Sequence, residues 1–173
     1  MMMRLLRAGG IELVTDEIRA ADYHNPEGYF ELEQVKTLDK TDRHPWLTAC
    51  RGKAVKVISF LLPYLPDDHN YRVIFMRREL GEVIASQDKM LTSRGQVADP
   101  DHAVVSQRFQ DDLRRVELVL GSRPCFEKLE VSYNAAVADS ATAAARINSF
   151  LGGALNLPAM AAAVDSSLYR NRA

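Results

Sequence analysis

The stretch from Tyr71 to Met90, YRVIFMRRELGEVIASQDKM, places a strand, a turn and a helix in direct succession. Its apolar run from Val73 to Met76 is rich in β-forming residues, which is typical of a strand buried on both faces of a parallel sheet. After Arg78 the spacing becomes helical. The residues at this spacing are Leu80, Val83, Ile84, Gln87, Met90 and Leu91. The stretch therefore predicts a strand whose carboxyl end leads straight into a helix.

Two arginines, Arg77 and Arg78, end the apolar run, and Ser86 follows two helical turns after Arg78. Ligands of open α/β sheets bind in the crevice at the carboxyl ends of the strands. A guanidinium group binds planar oxyanions through two parallel hydrogen bonds. The arrangement therefore predicts a phosphate site at this strand end. The alternative is that the arginines are only solvated and that Ser86 caps or packs.

This segment resembles the 3′-phosphate-binding strand–turn–helix of the sulfotransferase family, in which an Arg ends an apolar strand and a Ser follows eight residues later. Arg78 and Ser86 match that pattern in type and spacing. The resemblance extends over roughly residues 1–172 and points to the bacterial sulfotransferase-like proteins of the P-loop NTPase-like superfamily. It implies 3′-phosphoadenylyl sulfate (PAPS) as sulfuryl donor, with Arg78 and Ser86 on the 3′-phosphate and Arg77 in support.

A second strand is expected from Lys53 to Phe60, where Lys56 interrupts an apolar run. Because an unpaired ammonium group is costly to bury, Lys56 should reach a crevice or a carboxylate. By the resemblance, Lys56 corresponds to the lysine that contacts the transferring group, where it would stabilise charge on the bridging oxygen. The alternative is that Lys56 pairs with a carboxylate on a neighbouring loop.

The residue at which the family carries its histidine base is Ile58 in this chain, with Ser59 beside it. Neither side chain can accept a proton as histidine does. A base would therefore come from elsewhere, and the candidates are Glu31, Glu33 and His24.

Contacts to adenine are expected at two places. Tyr133 ends the predicted strand from Cys125 to Tyr133 and corresponds to the family's adenine-contacting tyrosine. The alternative is a tyrosine at the edge of the core with a satisfied hydroxyl. Ser166 and Leu168 fall in the tail that lies near the adenine in the family.

The remaining pattern predicts helices around a small sheet. Met1 to Ala8 is expected to be helical, Ile11 to Thr15 a short strand, and residues 25–28 a turn. Further helices are expected over residues 105–120 and 141–151 and from Pro158 onward. This order predicts one α/β domain over residues 1–173, a three-layer α/β/α arrangement with a small parallel sheet, sulfotransferase or P-loop NTPase-like.

In the family a strand and a Gly/Ser/Thr-containing loop precede the first helix, and that loop cradles the 5′-phosphosulfate. Here the predicted helix begins at Met1. Two explanations are open: the chain lacks its true N-terminus, or it is a natural variant without the donor loop. In either case the missing strand would be central in the sheet.

The composition excludes several classes of function. The 173 residues carry a formal net charge of −1, which gives no overall argument for binding nucleic acid. Cys50 and Cys125 form neither a metal-ligand spacing nor a disulfide framework, and the four histidines are scattered. No apolar run approaches the roughly 20 residues that span a bilayer, and no secretory signal is evident. We expect a cytoplasmic protein without a metal.

The function expected from the resemblance is transfer of a sulfuryl group from PAPS to a hydroxyl or amine of a small molecule, protein or carbohydrate. The product nucleotide would be 3′-phosphoadenosine 5′-phosphate. One rival is a small kinase, which needs a phosphate loop and Mg²⁺ ligands that are not evident. The other is a non-catalytic nucleotide-binding or interaction domain on a truncated or degenerate sulfotransferase fold.

Overall fold

The computed structural model describes residues 1–16, 18, 19, 21, 28–93, 95 and 101–165. Two parallel strands, β1 (Tyr71–Arg77) and β2 (Phe126–Ser132), form a two-stranded sheet within this part of the chain. Their register sets Tyr71 opposite Phe126 and Arg77 opposite Ser132. The strands predicted at residues 73–76 and 125–133 are confirmed, and their carboxyl ends meet at one edge of the sheet.

Helices surround this sheet. The α-helices are α1 (Met2–Ala8), α2 (Trp46–Ala49), α3 (Leu80–Ser93), α4 (His102–Ser122), α5 (Tyr133–Ala138), α6 (Ser140–Leu151) and α7 (Leu157–Ala162). Two 3₁₀ helices cover Glu33–Thr37 and Ser59–Tyr64. The helices predicted from apolar spacing after β1 and before β2 are confirmed as α3 and α4. α5 was not predicted, because the sequence shows no more than a short alanine-rich stretch there.

Side-chain caps fix where several helices begin. The Asp101 carboxylate accepts hydrogen bonds from the backbone N–H groups of residues 103 and 104 at the start of α4. Asp139 accepts from the N–H of Thr142 and so caps α6. Gly152, with φ of +107°, ends α6 in the left-handed conformation that glycine adopts without a steric cost.

The sheet lies between two apolar clusters. Successive side chains of a strand point to opposite faces. On one face, odd-numbered residues of β1 pack with Leu61, Val116 and the 3₁₀ helices; we call this the first cluster. On the other face, even-numbered residues of β1 pack with Leu5, Ile147 and Met160, which form the second cluster. Helices therefore cover both faces of the sheet.

Two predicted strands are wrong. Residues 53–58 form no strand in the described chain: Ala54 makes one β-bridge, Ile58 has extended backbone angles, and Ser59 and Phe60 already belong to a 3₁₀ helix. The predicted strand at residues 11–15 is reduced to one parallel bridge, between Leu13 and Ala54. Both segments have strand-like sequences, but a strand also needs a partner along its edge.

The resulting class is mixed α/β with a small parallel sheet. No helix among the described residues combines the length and the apolar character needed to span a bilayer. Several predictions lie outside the described residues: those for His24, Ser166 and Leu168, and most of the turn at residues 25–28.

Candidate functional site

Arg78 lies at the carboxyl end of β1 and is already engaged by a carboxylate. Its Nε donates to Glu82 Oε2 at 2.8 Å, an i, i+4 pair between the strand end and the first turn of α3. The Glu82 side chain is 2% exposed and that of Arg78 is 23% exposed. A buried carboxylate needs such a partner, because an unpaired buried charge is strongly unfavourable.

Tyr133 and Asn134 join this pair from the end of β2. The guanidinium carbon of Arg78 lies 4.8 Å from the centroid of the Tyr133 ring, in cation–π contact. Asn134 Nδ2 lies 3.4 Å from Glu82 Oε1. Asn134 Oδ1 is buried and has no hydrogen-bond partner in the described structure. We call Arg78, Glu82, Tyr133 and Asn134 the strand-end cluster.

Ser86 lies on α3, one turn beyond Glu82. Residues four apart lie on the same face of a helix. Ser86 is half-buried and therefore continues the face of α3 that carries Glu82. A ligand that reached both Arg78 and Ser86 would pass directly over the Glu82 carboxylate.

Arg77 is held by two carboxylates on the side of the sheet that faces α4. It forms ion pairs with Glu117 of α4 and Glu130 of β2, the latter at 3.4 Å. Its guanidinium also lies 5.1 Å from the centroid of the Phe75 ring. Hydrogen bonds from Lys128 and then from Arg77 lower the pKa of Glu130 below its usual value. Arg77 thus ties β1 to β2 and α4.

Lys56 lies on the extended segment and pairs with the loop around residue 30. Its Nζ donates to the carbonyl oxygen of Tyr29 at 3.0 Å and to Glu31 Oε1 at 3.3 Å. Arg19 donates to the same Glu31 oxygen at 3.1 Å. The sequence had left two alternatives for Lys56, a crevice and a carboxylate on a neighbouring loop, and the structure has both, because Lys56 also lines the cavity described next.

A cavity of about 1260 Å³ brings several predicted residues together. Lys56, Ser59, Arg77 and Arg78 all line it. Of the base candidates, Glu31 pairs with Lys56, and Glu33 is paired with Lys36 in an exposed position. The structure thus brings Lys56, Arg77 and Arg78 to one cavity and places Arg78 against Tyr133.

Glu82 and Asn134 were missed by the sequence reasoning. Glu82 stands four residues after Arg78, a spacing that by itself usually marks a surface ion pair. A carboxylate in the first turn of a helix that follows a buried strand points either to solvent or to the sheet edge, and the sequence does not distinguish these two positions. Asn134 directly follows Tyr133 and carried no signal of its own.

No group of three or more His, Cys, Asp or Glu residues in the described part of the chain is arranged to hold a metal ion. We found no protein-family model that matches the chain, and searches of curated proteins and of solved structures returned no match.

Proposed function

We propose that this protein is sulfotransferase-like and holds the 3′-phosphoadenosine part of PAPS at the strand-end cluster. The observation that supports this most is the contact of Arg78 with Tyr133. These are the two residues that the family resemblance assigns to the 3′-phosphate and to adenine, and they lie 55 positions apart in the sequence, yet in contact at 4.8 Å.

The groups of the cluster suit this ligand in most respects. Arg78 supplies a guanidinium for the phosphate and Tyr133 a ring edge for the adenine, and Ser86, outside the cluster on α3, supplies a hydroxyl. The unpaired oxygen Asn134 Oδ1 would accept a hydrogen bond from an amino or hydroxyl group of the nucleotide. When bound, PAPS supplies the sulfuryl group, and Lys56 would stabilise negative charge at the far side of the cavity.

One group opposes an anion in this place. The Glu82 carboxylate occupies Arg78 and would repel a phosphate at the same guanidinium. Binding of the 3′-phosphate therefore requires that Arg78 exchange its partner or bind both groups through different N–H donors. A guanidinium has five such donors, so sharing is chemically possible.

A second function has its own support. Lys56 is engaged by Glu31 and a backbone carbonyl, and the family's histidine base is replaced by Ile58. Both features favour a non-catalytic nucleotide-binding or interaction domain on the same fold. A non-catalytic nucleotide-binding domain differs from the first function in sulfuryl transfer alone, whereas an interaction domain lacks nucleotide binding as well.

The test of nucleotide binding is the shift in thermal midpoint with 3′-phosphoadenosine 5′-phosphate, compared with AMP and ATP. A ligand at about 100 times its Kd stabilises the folded state by about 2.7 kcal/mol. We expect this shift with the 3′-phosphorylated nucleotide alone. Glu82→Gln should increase its affinity about tenfold, because the competing charge is removed, and Arg78→Lys should decrease it, because the two-pronged hydrogen bond is lost.

Equal shifts with AMP and 3′-phosphoadenosine 5′-phosphate would contradict a 3′-phosphate site. Loss of binding in a folded Glu82→Gln variant would contradict competition between Glu82 and the phosphate for Arg78. Transfer is measured separately, as release of 3′-phosphoadenosine 5′-phosphate from PAPS with phenol and amine acceptors, with Lys56→Met as the control. Binding of the nucleotide without sulfuryl transfer would support the non-catalytic nucleotide-binding domain.

A further inference from the structure

One edge of β1 is unpaired along its whole length within the described structure. The backbone N–H of Tyr71 donates to the carbonyl oxygen of Cys125 at 2.7 Å, so the backbone groups of residue 71 face β2. Because these groups alternate between the two edges of a strand, those of Arg72, Ile74 and Met76 face away from β2. Among the described residues, β1 pairs with β2 alone.

The extended segment at residues 53–57 has the alternation of a strand in the same sheet. Ala54 packs against the second cluster, as do the even-numbered residues of β1. Val55 and Val57 pack against the first cluster, as do the odd-numbered ones. The segment therefore lies in the plane of the sheet, with one apolar cluster on each side. Among the described residues, its one ladder contact is the bridge from Ala54 to Leu13.

The cavity of about 1260 Å³ separates these two extended pieces of chain. Every residue of β1 and every residue from 53 to 57 contributes to its lining. The backbone edges of β1 and of residues 53–57 therefore bound the cavity on two opposite sides. The two apolar clusters bound it on the other two sides. Unpaired backbone groups at such an edge readily pair with another extended chain.

The charged side chains of the cavity lining indicate what kind of ligand the cavity would bind. Basic side chains outnumber carboxylates in the cavity lining, although the chain as a whole carries a net charge of −1. Arg72 and Arg77 lie on β1, and Lys53 and Lys56 lie on the facing segment. All four are paired with carboxylates, as Lys53 is with Glu12 at 2.6 Å, so the attraction is weak. This attraction favours a ligand in which acidic residues flank an apolar centre.

We propose that the cavity between β1 and residues 53–57 receives an extended segment of a partner polypeptide, apolar on both faces and flanked by acidic residues. The segment adds a strand, pairs with the backbone groups of Arg72, Ile74 and Met76, and buries its alternate side chains in the two clusters. Backbone hydrogen bonds supply affinity in this mode of recognition, and the side-chain pockets supply specificity.

The experiment uses a synthetic nine-residue peptide, Asp-Glu-Val-Ile-Val-Val-Ile-Glu-Asp, acetylated and amidated at its ends. Its control has the same side chains but is N-methylated at alternate residues, which removes the N–H donors along one edge. We expect the control to bind at least about tenfold more weakly. At about 100 times its Kd, the unmodified peptide should slow hydrogen exchange of the amides of Arg72, Ile74 and Met76 about hundredfold.

The amides of Tyr71, Val73 and Phe75 serve as the internal reference, because they face β2 and are protected without peptide. Equal binding of the two peptides, or no added protection at Arg72, Ile74 and Met76, would overturn the proposal. A dimer that protects the same amides without peptide, seen by sedimentation at rising concentration, would assign the cavity to a second copy and also overturn it. Displacement of the peptide by 3′-phosphoadenosine 5′-phosphate without protection at these amides would assign the cavity to the nucleotide instead.

Discussion

At the residue scale, substitutions of Arg78 and of Glu82 should lower the stability of the fold by different amounts. Removing the charge of Glu82 leaves a guanidinium that still reaches solvent, whereas removing Arg78 leaves a carboxylate whose side chain is 2% exposed. An isolated buried charge is far costlier than a part-exposed one. We expect Arg78→Met to lower the free energy of unfolding by about 2–3 kcal/mol and Glu82→Gln by less than about 1 kcal/mol.

Urea unfolding of both variants and of the double variant measures this asymmetry. The double variant should be more stable than Arg78→Met alone, because it no longer carries the unpaired buried carboxylate of Glu82. If the two single variants lose equal stability, the burial of Glu82 does not determine the energetics of the cluster. This measurement also separates folding from ligand binding in the nucleotide experiment.

At the element scale, α6 depends on one ionised cap. Hydrogen bonds from the backbone N–H and the side chain of Thr142 lower the pKa of Asp139 below its usual value. A carboxyl group whose pKa is lower in the folded state than in the unfolded state stabilises the fold at pH values above its unfolded pKa, which is near 4. This stabilisation is lost as the pH falls through the folded-state pKa. Asp139→Asn, which caps without ionising, should therefore be less acid-sensitive than the wild type.

The comparison is the difference in urea midpoint between Asp139→Asn and wild type at about pH 7 and about pH 3, the second of which lies below the usual carboxyl pKa. Ser132→Ala is the matched control, since Ser132 caps α5 through the N–H of Ala135 without an ionisable group. The destabilisation that Ser132→Ala causes should be the same at the two pH values. A constant difference for Asp139→Asn as well would mean that its charge has no part in the cap.

The elements also show what sequence patterns can and cannot predict. β1 and α3 follow from a change of apolar period within one stretch, and α4 follows from the apolar spacing over residues 105–120; each has neighbours that accept its buried face. The strand predicted at residues 53–60 has the right side chains, as their packing against the two clusters confirms. It fails as a strand because pairing is a property of two chain segments, and no described segment lies between it and β1.

The candidate site divides in the same way. Strand ends can be predicted from sequence, so Arg78 and Tyr133 were placed at one edge of the sheet. The partner of Arg78 could not be predicted, because the burial of Glu82 depends on how α3 and α5 close over the strand ends. Charge pairs at i, i+4 look alike in sequence whether they are solvated or buried.

At the scale of the whole molecule, the two apolar clusters share one thin sheet. Leu61 is 2% exposed in the first cluster, and Ile147 is fully buried in the second. Because both clusters pack on β1 and β2, we expect them to unfold together. Leu61→Ala and Ile147→Ala should each lower the free energy of unfolding by about 2–4 kcal/mol.

Trp46, the one tryptophan of the chain, packs against the first cluster and reports on it by fluorescence. Far-ultraviolet circular dichroism reports on all helices. We expect Ile147→Ala to shift both transitions equally, although Trp46 is on the opposite side of the sheet. Leu118→Ala, at a side chain that is 73% exposed, is the control and should shift neither. Separate transitions would show that the clusters fold independently.

The register of the sheet has a consequence for the speed of folding. Each pair in the β1–β2 ladder joins residues 55 positions apart, as Tyr71 and Phe126 do. No pair can form until a loop of that length has closed, and closure costs entropy before any contact repays it. The intervening helix α4 can form early and shorten the effective loop. Substitutions on the solvent-facing side of α4 that weaken this helix should therefore slow folding by nearly their full effect on equilibrium stability and change the unfolding rate little.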